Sequence, residues 1–293
     1  MINFSELDNF LSTVLNEDIG TGDITTNACV PVDAVSKGSF IAKETGVISG
    51  LGVLKRVFEL LDETVDVTLL VNDSDTVSKG DVIATISGPS RAILTGERTA
   101  LNLIQHLSGI ATKTAEAVGE ISGTKTKILD TRKTTPGMRS LEKYAVRCGG
   151  GTNHRFNLAD GVIIKDNHIK AANGITNAVE QARQAQQEKQ VKIKISSDSF
   201  SPPPIVLIEV ETETLEQVEE ALSAGVDIIM LDNMPPEMMT EAVKLINGRA
   251  MTEASGNMGE RDLKTVANTG VDFISIGALT HSVKALDISL KFE

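Results

Sequence analysis

The chain has no tryptophan, one tyrosine and only two cysteines, Cys29 and Cys148, in 293 residues. Two cysteines cannot build a disulfide scaffold or, by themselves, a metal cluster, and such sparse usage fits a reducing compartment. No apolar run approaches the roughly 18 residues of a membrane span, and nothing at the amino end reads as a signal peptide. The expectation is therefore a cytoplasmic protein with no membrane partner. Cations are also scarce: 28 Lys+Arg against 40 Asp+Glu leave a net charge of -12. That balance argues against general nucleic-acid binding, and neither RNP-like nor paired-cysteine finger motifs occur. With 41% hydrophobic residues the chain is neither disordered nor collagen-like. Its length suits one large barrel or two domains.

The charge that is present is unevenly placed. Between Lys125 and Lys170 there are ten basic residues and four acidic ones, so this window is +6 and the remainder is -18. Two of the four histidines, His154 and His168, fall in it. A cationic island in an acidic protein suggests a pocket for a small, multiply charged anion; the alternative is a solvated basic face.

Up to about Gly88 the chain reads as short strands and turns around one helix. Alternating β-branched residues mark Ser36 to Ile48 and Val65 to Ile86, and Ser78-Lys79-Gly80-Asp81 is a hairpin turn signal. From Ser90 the period becomes helical, with a break expected at Ser108-Gly109 and a second helix to about Ile121. From Lys127 onward short apolar runs alternate with helical segments. The runs are Ile128-Leu129, Gly161 to Ile164, Ile205 to Val210, Val226 to Leu231, Ala250-Met251 and Val271 to Ile276. This alternation implies parallel strands. Val191 to Ile195 alternates like an extra edge strand ahead of a Ser/Pro-rich run at 196–204.

Five of the runs lead into polar groups: Asp130-Thr131-Arg132-Lys133, Lys165-Asp166-Asn167, Glu209 and Glu211, Asp232-Asn233, and Glu253 and Ser255. A β/α barrel builds its site from such strand ends. Thr135-Pro136 reads as an N-cap and first helical residue, and helix amides beside Arg132 and Lys133 suit phosphate or carboxylate. On the following helix Arg139, Lys143 and Arg147 form a stripe expected to be solvated. Gly149-Gly150-Gly151 ends that helix and lets Asn153-His154-Arg155 approach a ligand closely. Lys165 is suited to a Schiff base or, as favoured here, to a point charge for an anion. His168 suits a structural hydrogen bond as well as a ligand contact. Glu211 and Asp232 suit Mg²⁺ on a diphosphate, or ribose hydroxyls. Ser255-Gly256-Asn257 and Gly277-Ala278 follow the last strands, where barrels bind phosphate through loop amides.

The run Asp130 to Ile169, DTRKTTPGMRSLEKYAVRCGGGTNHRFNLADGVIIKDNHI, closely resembles the quinolinate phosphoribosyltransferase family. Further similar segments are EDIGTGDITT at Glu17 to Thr26, GERTALN at Gly96 to Asn102, IEVETETLEQVEEAL at Ile208 to Leu222, DIIMLDN at Asp227 to Asn233 and IGALTHSVKALDISL at Ile276 to Leu290. The resemblance implies an amino-terminal α/β sandwich domain (1–108, joined by 282–293) and an incomplete, seven-stranded α/β barrel (109–281). It implies transfer of phosphoribosyl from phosphoribosyl pyrophosphate to quinolinate with decarboxylation, in NAD biosynthesis. By the same resemblance Arg132, His154, Arg155 and Lys165 hold the quinolinate carboxylates, with Arg98 reaching in from the partner chain of a homodimer. Lys133, Glu211 and Asp232 are the implied catalytic groups, and with Ser255, Gly256, Gly277 and His281 they face phosphoribosyl pyrophosphate. Mg²⁺ is the implied cofactor, carried mainly by the pyrophosphate near Glu211 and Asp232.

Two departures stand out. The family commonly has Ser-Gly-Gly at Ser255-Gly256-Asn257, where asparagine tolerates left-handed backbone, and the Ser/Pro-rich stretch is longer than the family's usual connection. A molybdenum-operon paralogue of the same fold is the nearest rival, opposed by the intact Asn153-His154-Arg155 and Lys165-Asp166-Asn167-His168. A carrier-like module is the rival outside enzymes, because Val77 to Ala84 resembles a biotinyl or lipoyl turn. No lysine in an attachment context follows it.

Overall fold

The computed structural model describes residues 4–196 and 206–293. They form two compact units: the first runs to Val118 and adds Lys133–Thr152 and Ala278–Glu293, and the second comprises Gly119–Arg132 and Asn153–Gly277.

In the first unit an antiparallel sheet is ordered β12-β1-β5-β3, from β1 (Val35–Ala42), β3 (Asp66–Leu69), β5 (Val82–Pro89) and β12 (Ile288–Phe292). The last strand pairs Leu290 with Phe40, so the carboxyl end completes this sheet. Phe40 packs near Phe58, ring centroids 6.1 Å apart, on helix α3 (Leu51–Leu61). Three helices precede Gly88 rather than the expected one: α1 (Phe4–Ile19), α2 (Ile24–Cys29) and α3. Leu7, Leu11 and Leu15, spaced by four, form the buried stripe that makes α1 a helix. The turn at Ser78–Asp81 is present, with Gly80 at φ 102° and the Asp81 N–H donating to the Ser78 carbonyl at 3.1 Å. Its flanking strands do not pair with each other, because β4 (Thr76–Val77) pairs with β2 (Gly46–Val47).

Helix α4 (Ser90–Glu120) runs unbroken through Ser108-Gly109. There the glycine serves close approach instead of termination: a Cβ on Gly109 would collide with the Lys284 carbonyl and lie 3.1 Å from Ala285 Cα. The Ser108 hydroxyl accepts the Ser49 N–H at 3.0 Å, which satisfies a buried polar pair without interrupting the helix.

The second unit is a six-stranded parallel sheet among the described residues, ordered β6-β11-β10-β9-β8-β7. Its strands are β6 (Lys127–Leu129), β7 (Val162–Ile164), β8 (Ile208–Thr212), β9 (Ile228–Asp232), β10 (Met251–Ser255) and β11 (Phe273–Ser275), each on one of the six apolar runs. The two edges, β6 and β7, are consecutive in the chain, the order of a barrel opened between its first and second strands. Helices α8 (Leu215–Ser223), α9 (Pro236–Ile246) and α10 (Leu263–Asn268) alternate with the strands. Val191 to Ile195 is not an edge strand but the end of helix α7 (Ile175–Ser196). The Gln/Glu/Lys-rich residues before it are good helix formers with no Gly or Pro to stop them. Residues 197–204 of the Ser/Pro-rich run lie outside the described residues.

Candidate active site

Strand register selects the residues of one sheet face. Ile163 lies beside Glu209, Glu211 and Glu253 both lie beside Met230, and Asp232 lies beside Ser255. Neighbouring residues in parallel strands point to the same side, and the side alternates along each strand. Lys165, still extended after β7, therefore joins Glu209, Glu211, Asp232, Glu253 and Ser255 on one face. Lys165, Glu211, Asp232 and Ser255 stand at the strand carboxyl ends, with Glu209 and Glu253 one layer deeper.

At the rim Lys165 Nζ contacts Glu211 Oε2 at 2.5 Å. The Ser255 hydroxyl donates to Asp232 Oδ1 at 2.5 Å, and Asn233 Nδ2 donates to Oδ2 at 2.7 Å. The Lys165 backbone N–H donates to His168 Nδ1 at 3.0 Å, so His168 is a cap on helix α6 (Asp166–Ala172). Gly256 and Asn257 take left-handed backbone, at φ 92° and 53°. Gly277 follows β11 and precedes the short helix α11 (Ala278–His281).

The anchor of the Asn153-His154-Arg155 segment is Asp130, wholly buried at the end of β6. It accepts the His154 N–H at 2.8 Å and Asn153 Nδ2 at 2.5 Å. Arg155 is held at both ends: its backbone N–H donates to His154 Nδ1 at 2.7 Å, and Nη1 donates to the Gly161 carbonyl at 2.7 Å. Its Nε is buried without a hydrogen-bond partner. Burial, followed by the nearby Arg132 charge, lowers the pKa of this guanidinium. An arriving anion would relieve both the unmet donor and the like-charge crowding.

Beneath lie two groups that the sequence marks as strand-end carboxylates but to which it assigns no role. Glu209 and Glu253, 2% and 1% exposed, each place Oε2 at 3.3 Å from His154 Nε2. Burial pushes the His154 pKa down, but the hydrogen bond to Glu209 and the close approach and charge of Glu253 outweigh it and lift the value to about 10. The glutamates thus favour a doubly protonated ring, whereas a second proton would have to sit on Nδ1, where the Arg155 N–H already donates at 2.7 Å; that bond is the direct geometric observation and decides the matter, so the ring holds its Nε2–H form while it stands. Burial is also the main cause that raises the Glu209 pKa. A sequence signal for both existed: each glutamate precedes a strand-end polar residue, Glu211 or Ser255, by two positions.

Arg98, Lys133 and His281 belong to the first unit. Arg98 is exposed on α4, and Lys133 is exposed on the turn before helix α5 (Arg139–Cys148). The Thr280 hydroxyl donates to the Lys133 carbonyl at 2.7 Å, and His281 Nδ1 lies 2.7 Å from the Ser282 hydroxyl. Thr135-Pro136 does not start α5, whose N-cap is Met138. Instead the Thr135 N–H donates to buried Glu142 at 3.1 Å, while Glu142 also contacts His106 Nε2 at 2.8 Å. The expected solvated stripe is interrupted too: Lys143 is 3% exposed, because the buried side of α5 spans Leu141 to Lys143 as well as Ala145-Val146. The +6 window is therefore only partly a site. Lys125 pairs with Asp272 at the amino ends of β6 and β11, and Lys170 is taken up by Asp166 one turn back on α6.

A parallel α/β sheet whose strand ends gather ammonium and carboxylate groups on one face, beside the arginine-bearing segment held by Asp130, is the kind of site that α/β-barrel enzymes build. A family model described as quinolinate phosphoribosyl transferase, C-terminal domain, matches residues 110–291, and the N-terminal domain model of the same family matches residues 23–108. The chain belongs to the quinolinate phosphoribosyltransferase family. It is 47% identical over 289 residues to the probable nicotinate-nucleotide pyrophosphorylase (carboxylating) of Bacillus subtilis, covering 99% of this chain and 94% of that one. It is 41% identical over 304 residues to the mitochondrial quinolinate phosphoribosyltransferase (decarboxylating) 2b of Nicotiana tabacum, covering 98% and 82%. The solved structure of the nicotinate-nucleotide pyrophosphorylase from Francisella tularensis superposes with a TM-score of 0.89 at 40% identity, covering 100% and 98%. No helix among the described residues is long and apolar enough to cross a membrane.

Proposed function

We propose that this chain transfers phosphoribosyl from phosphoribosyl pyrophosphate to quinolinate and releases pyrophosphate, CO2 and nicotinate mononucleotide, as a step of NAD biosynthesis. The observation that carries the reading is the crowding of Arg155 by Arg132, with the buried Arg155 Nε lacking a partner. Arg132, Arg155 and Lys165, on the segment anchored by Asp130 and on the strand-end face, bind the two carboxylates, with His154 in the same segment. Arg98, exposed on α4, enters the neighbouring chain's site in a homodimer. Lys133, Ser255, Gly256, Gly277 and His281 meet the phosphates. The compartment is cytoplasmic, in keeping with two free cysteines.

The pyridine nitrogen attacks the ribose carbon as its bond to pyrophosphate breaks, and positive charge develops on the ribose. Glu211 and Asp232 stabilise that charge from the strand ends. The positive charge of the new pyridinium stabilises the electron pair left on the ring carbon when the adjacent carboxylate departs as CO2, and that pair then takes up a proton. Hard carboxylate oxygens on the same face of neighbouring strands fit Mg²⁺, which neutralises pyrophosphate when bound. Asp232 is held ready by Ser255 and Asn233, and Lys165 keeps Glu211 in place until substrate competes for the ammonium.

The test is an assay with quinolinate, phosphoribosyl pyrophosphate and Mg²⁺, following CO2 and mononucleotide, with nicotinate as control. Quinolinate is expected to react and nicotinate not, since one carboxylate leaves part of the cationic cluster unmet. Comparable turnover of nicotinate without CO2 would sink the proposal. Within it, Arg155→Ala is expected to weaken quinolinate binding about ten- to a hundredfold, the roughly 1.5 to 3 kcal/mol of a charge-assisted contact. Asp232→Ala is expected to slow the chemical step instead. Calorimetry showing unchanged quinolinate affinity in Arg155→Ala would contradict this assignment.

A further inference from the structure

Glu253 keeps both carboxylate oxygens buried without a hydrogen bond, and Glu209 keeps Oε1 so. Two such groups within the sheet's deeper layer are unfavourable for folding, and apolar residues of similar volume at such positions often leave stability unchanged or raise it. Their common neighbour is one side chain. His154 Nε2 lies 3.3 Å from Oε2 of each, and the opposite ring nitrogen, Nδ1, accepts the Arg155 N–H at 2.7 Å.

These three side chains bring one nitrogen and two oxygens within 4.8 Å of one another, close enough to resemble a metal site. The Arg155 bond speaks against that use. A histidine that ligates through Nε2 normally carries its proton on Nδ1 and donates it outward. Here Nδ1 is an acceptor, so ligation through Nε2 would demand a ring stripped of both protons. The proton on Nε2 instead points between the two carboxylates.

We propose that Glu209 and Glu253 are positioning residues that clamp the Nε2–H of His154, so that its Nδ1 fixes the backbone of Arg155 and aims that guanidinium at a substrate carboxylate. The glutamates act through the imidazole, from the layer below the strand ends. The clamp explains why Arg155 is held through its main chain as well as through Nη1 on Gly161. Its functional consequence rests on the reading of Arg155 as a carboxylate binder.

Two measurements test it. In protein labelled with ¹⁵N at its four histidines, and alongside His168, whose Nδ1 accepts the Lys165 N–H, the His154 ring at pH 7 should show its own signal of a bare Nδ1 and a protonated Nε2. This signal should vanish in His154→Gln and shift in the Glu209→Leu and Glu253→Leu variants. A protonated Nδ1 on His154, or a tightly bound metal recovered from wild type and lost in these variants, would overturn the clamp. This readout needs no turnover, so it decides the clamp even where wild type fails to use quinolinate and the functional reading falls. In steady-state kinetics with Mg²⁺, each leucine variant should raise the quinolinate KM tenfold or more. The phosphoribosyl pyrophosphate KM and kcat should stay within about threefold, at an unchanged or higher Tm. Glu253→Gln, which keeps an acceptor, should retain most of the wild-type quinolinate KM. A quinolinate KM within twofold of wild type in folded leucine variants would show a merely structural pair.

Discussion

Arg98→Ala and Lys165→Ala proteins, each expected to lose at least a hundredfold in activity alone, should regain activity when mixed under conditions that exchange subunits. Arg98 is exposed on α4, one residue before the buried Thr99-Ala100-Leu101 run, so its guanidinium stands clear of its own unit's core. Lys165 stands on the strand-end face in contact with Glu211. If Arg98 serves the neighbour's site, the Arg98→Ala chain of a mixed dimer brings an intact barrel and the Lys165→Ala chain an intact arginine. One site of that dimer is then wild type and the other carries both lesions. Random exchange makes about half of the dimers mixed, so about a quarter of all sites should recover under two-fold symmetry. Demonstrated exchange without recovered activity would place Arg98 in its own chain's site and end the shared-site reading.

The sheet of the second unit was legible because parallel strands, buried on both faces, write themselves as apolar runs, and all six runs are strands. The rim groups were legible for the same reason, since Lys165, Glu211, Asp232 and Ser255 mark where each run stops. Glu209 and Glu253 were harder to see as site groups because they lie within strands, where a lone carboxylate looks like a solvated edge. Only the register that puts Glu211 and Glu253 beside Met230 shows that these side chains share a face. Burial of Lys143 was equally hidden: a basic repeat of four on a helix normally marks its wet side. Gly109 misled in the opposite way, since a glycine chosen for close approach to Lys284-Ala285 has the same letter as one that ends a helix.

Gly256→Ala should be the most damaging single-methyl change at the strand ends. Gly256 sits at φ 92°, a backbone region that costs an L-residue roughly 1–2 kcal/mol. Its added Cβ would also collide with the Asn233 side chain and lie 2.8 Å from the Asn233 backbone nitrogen. Retreat of the side chain alone gives no relief, because the backbone contact remains. Asn233 is tied in turn to the site: its N–H donates to the Ser255 carbonyl at 3.0 Å and its Nδ2 holds Asp232 Oδ2 at 2.7 Å. Displacing it loosens Asp232, whose other oxygen is held by Ser255, so one methyl disturbs both the loop proposed to bind phosphate and the carboxylate proposed to face the ribose. The expected result is a kcat lower by about a hundredfold, equivalent to about 2.7 kcal/mol, with weaker phosphoribosyl pyrophosphate binding and quinolinate affinity within threefold. Asn257→Gly is the matched control: at φ 53° asparagine already occupies a conformation that glycine adopts freely, so kinetics close to wild type are expected. Steady-state kinetics in both substrates, with Tm as the check on folding, distinguish the two. A Gly256→Ala enzyme with wild-type kcat and an unchanged phosphoribosyl pyrophosphate KM would show that Asn233 yields without moving Asp232, and would remove this loop from the catalytic geometry.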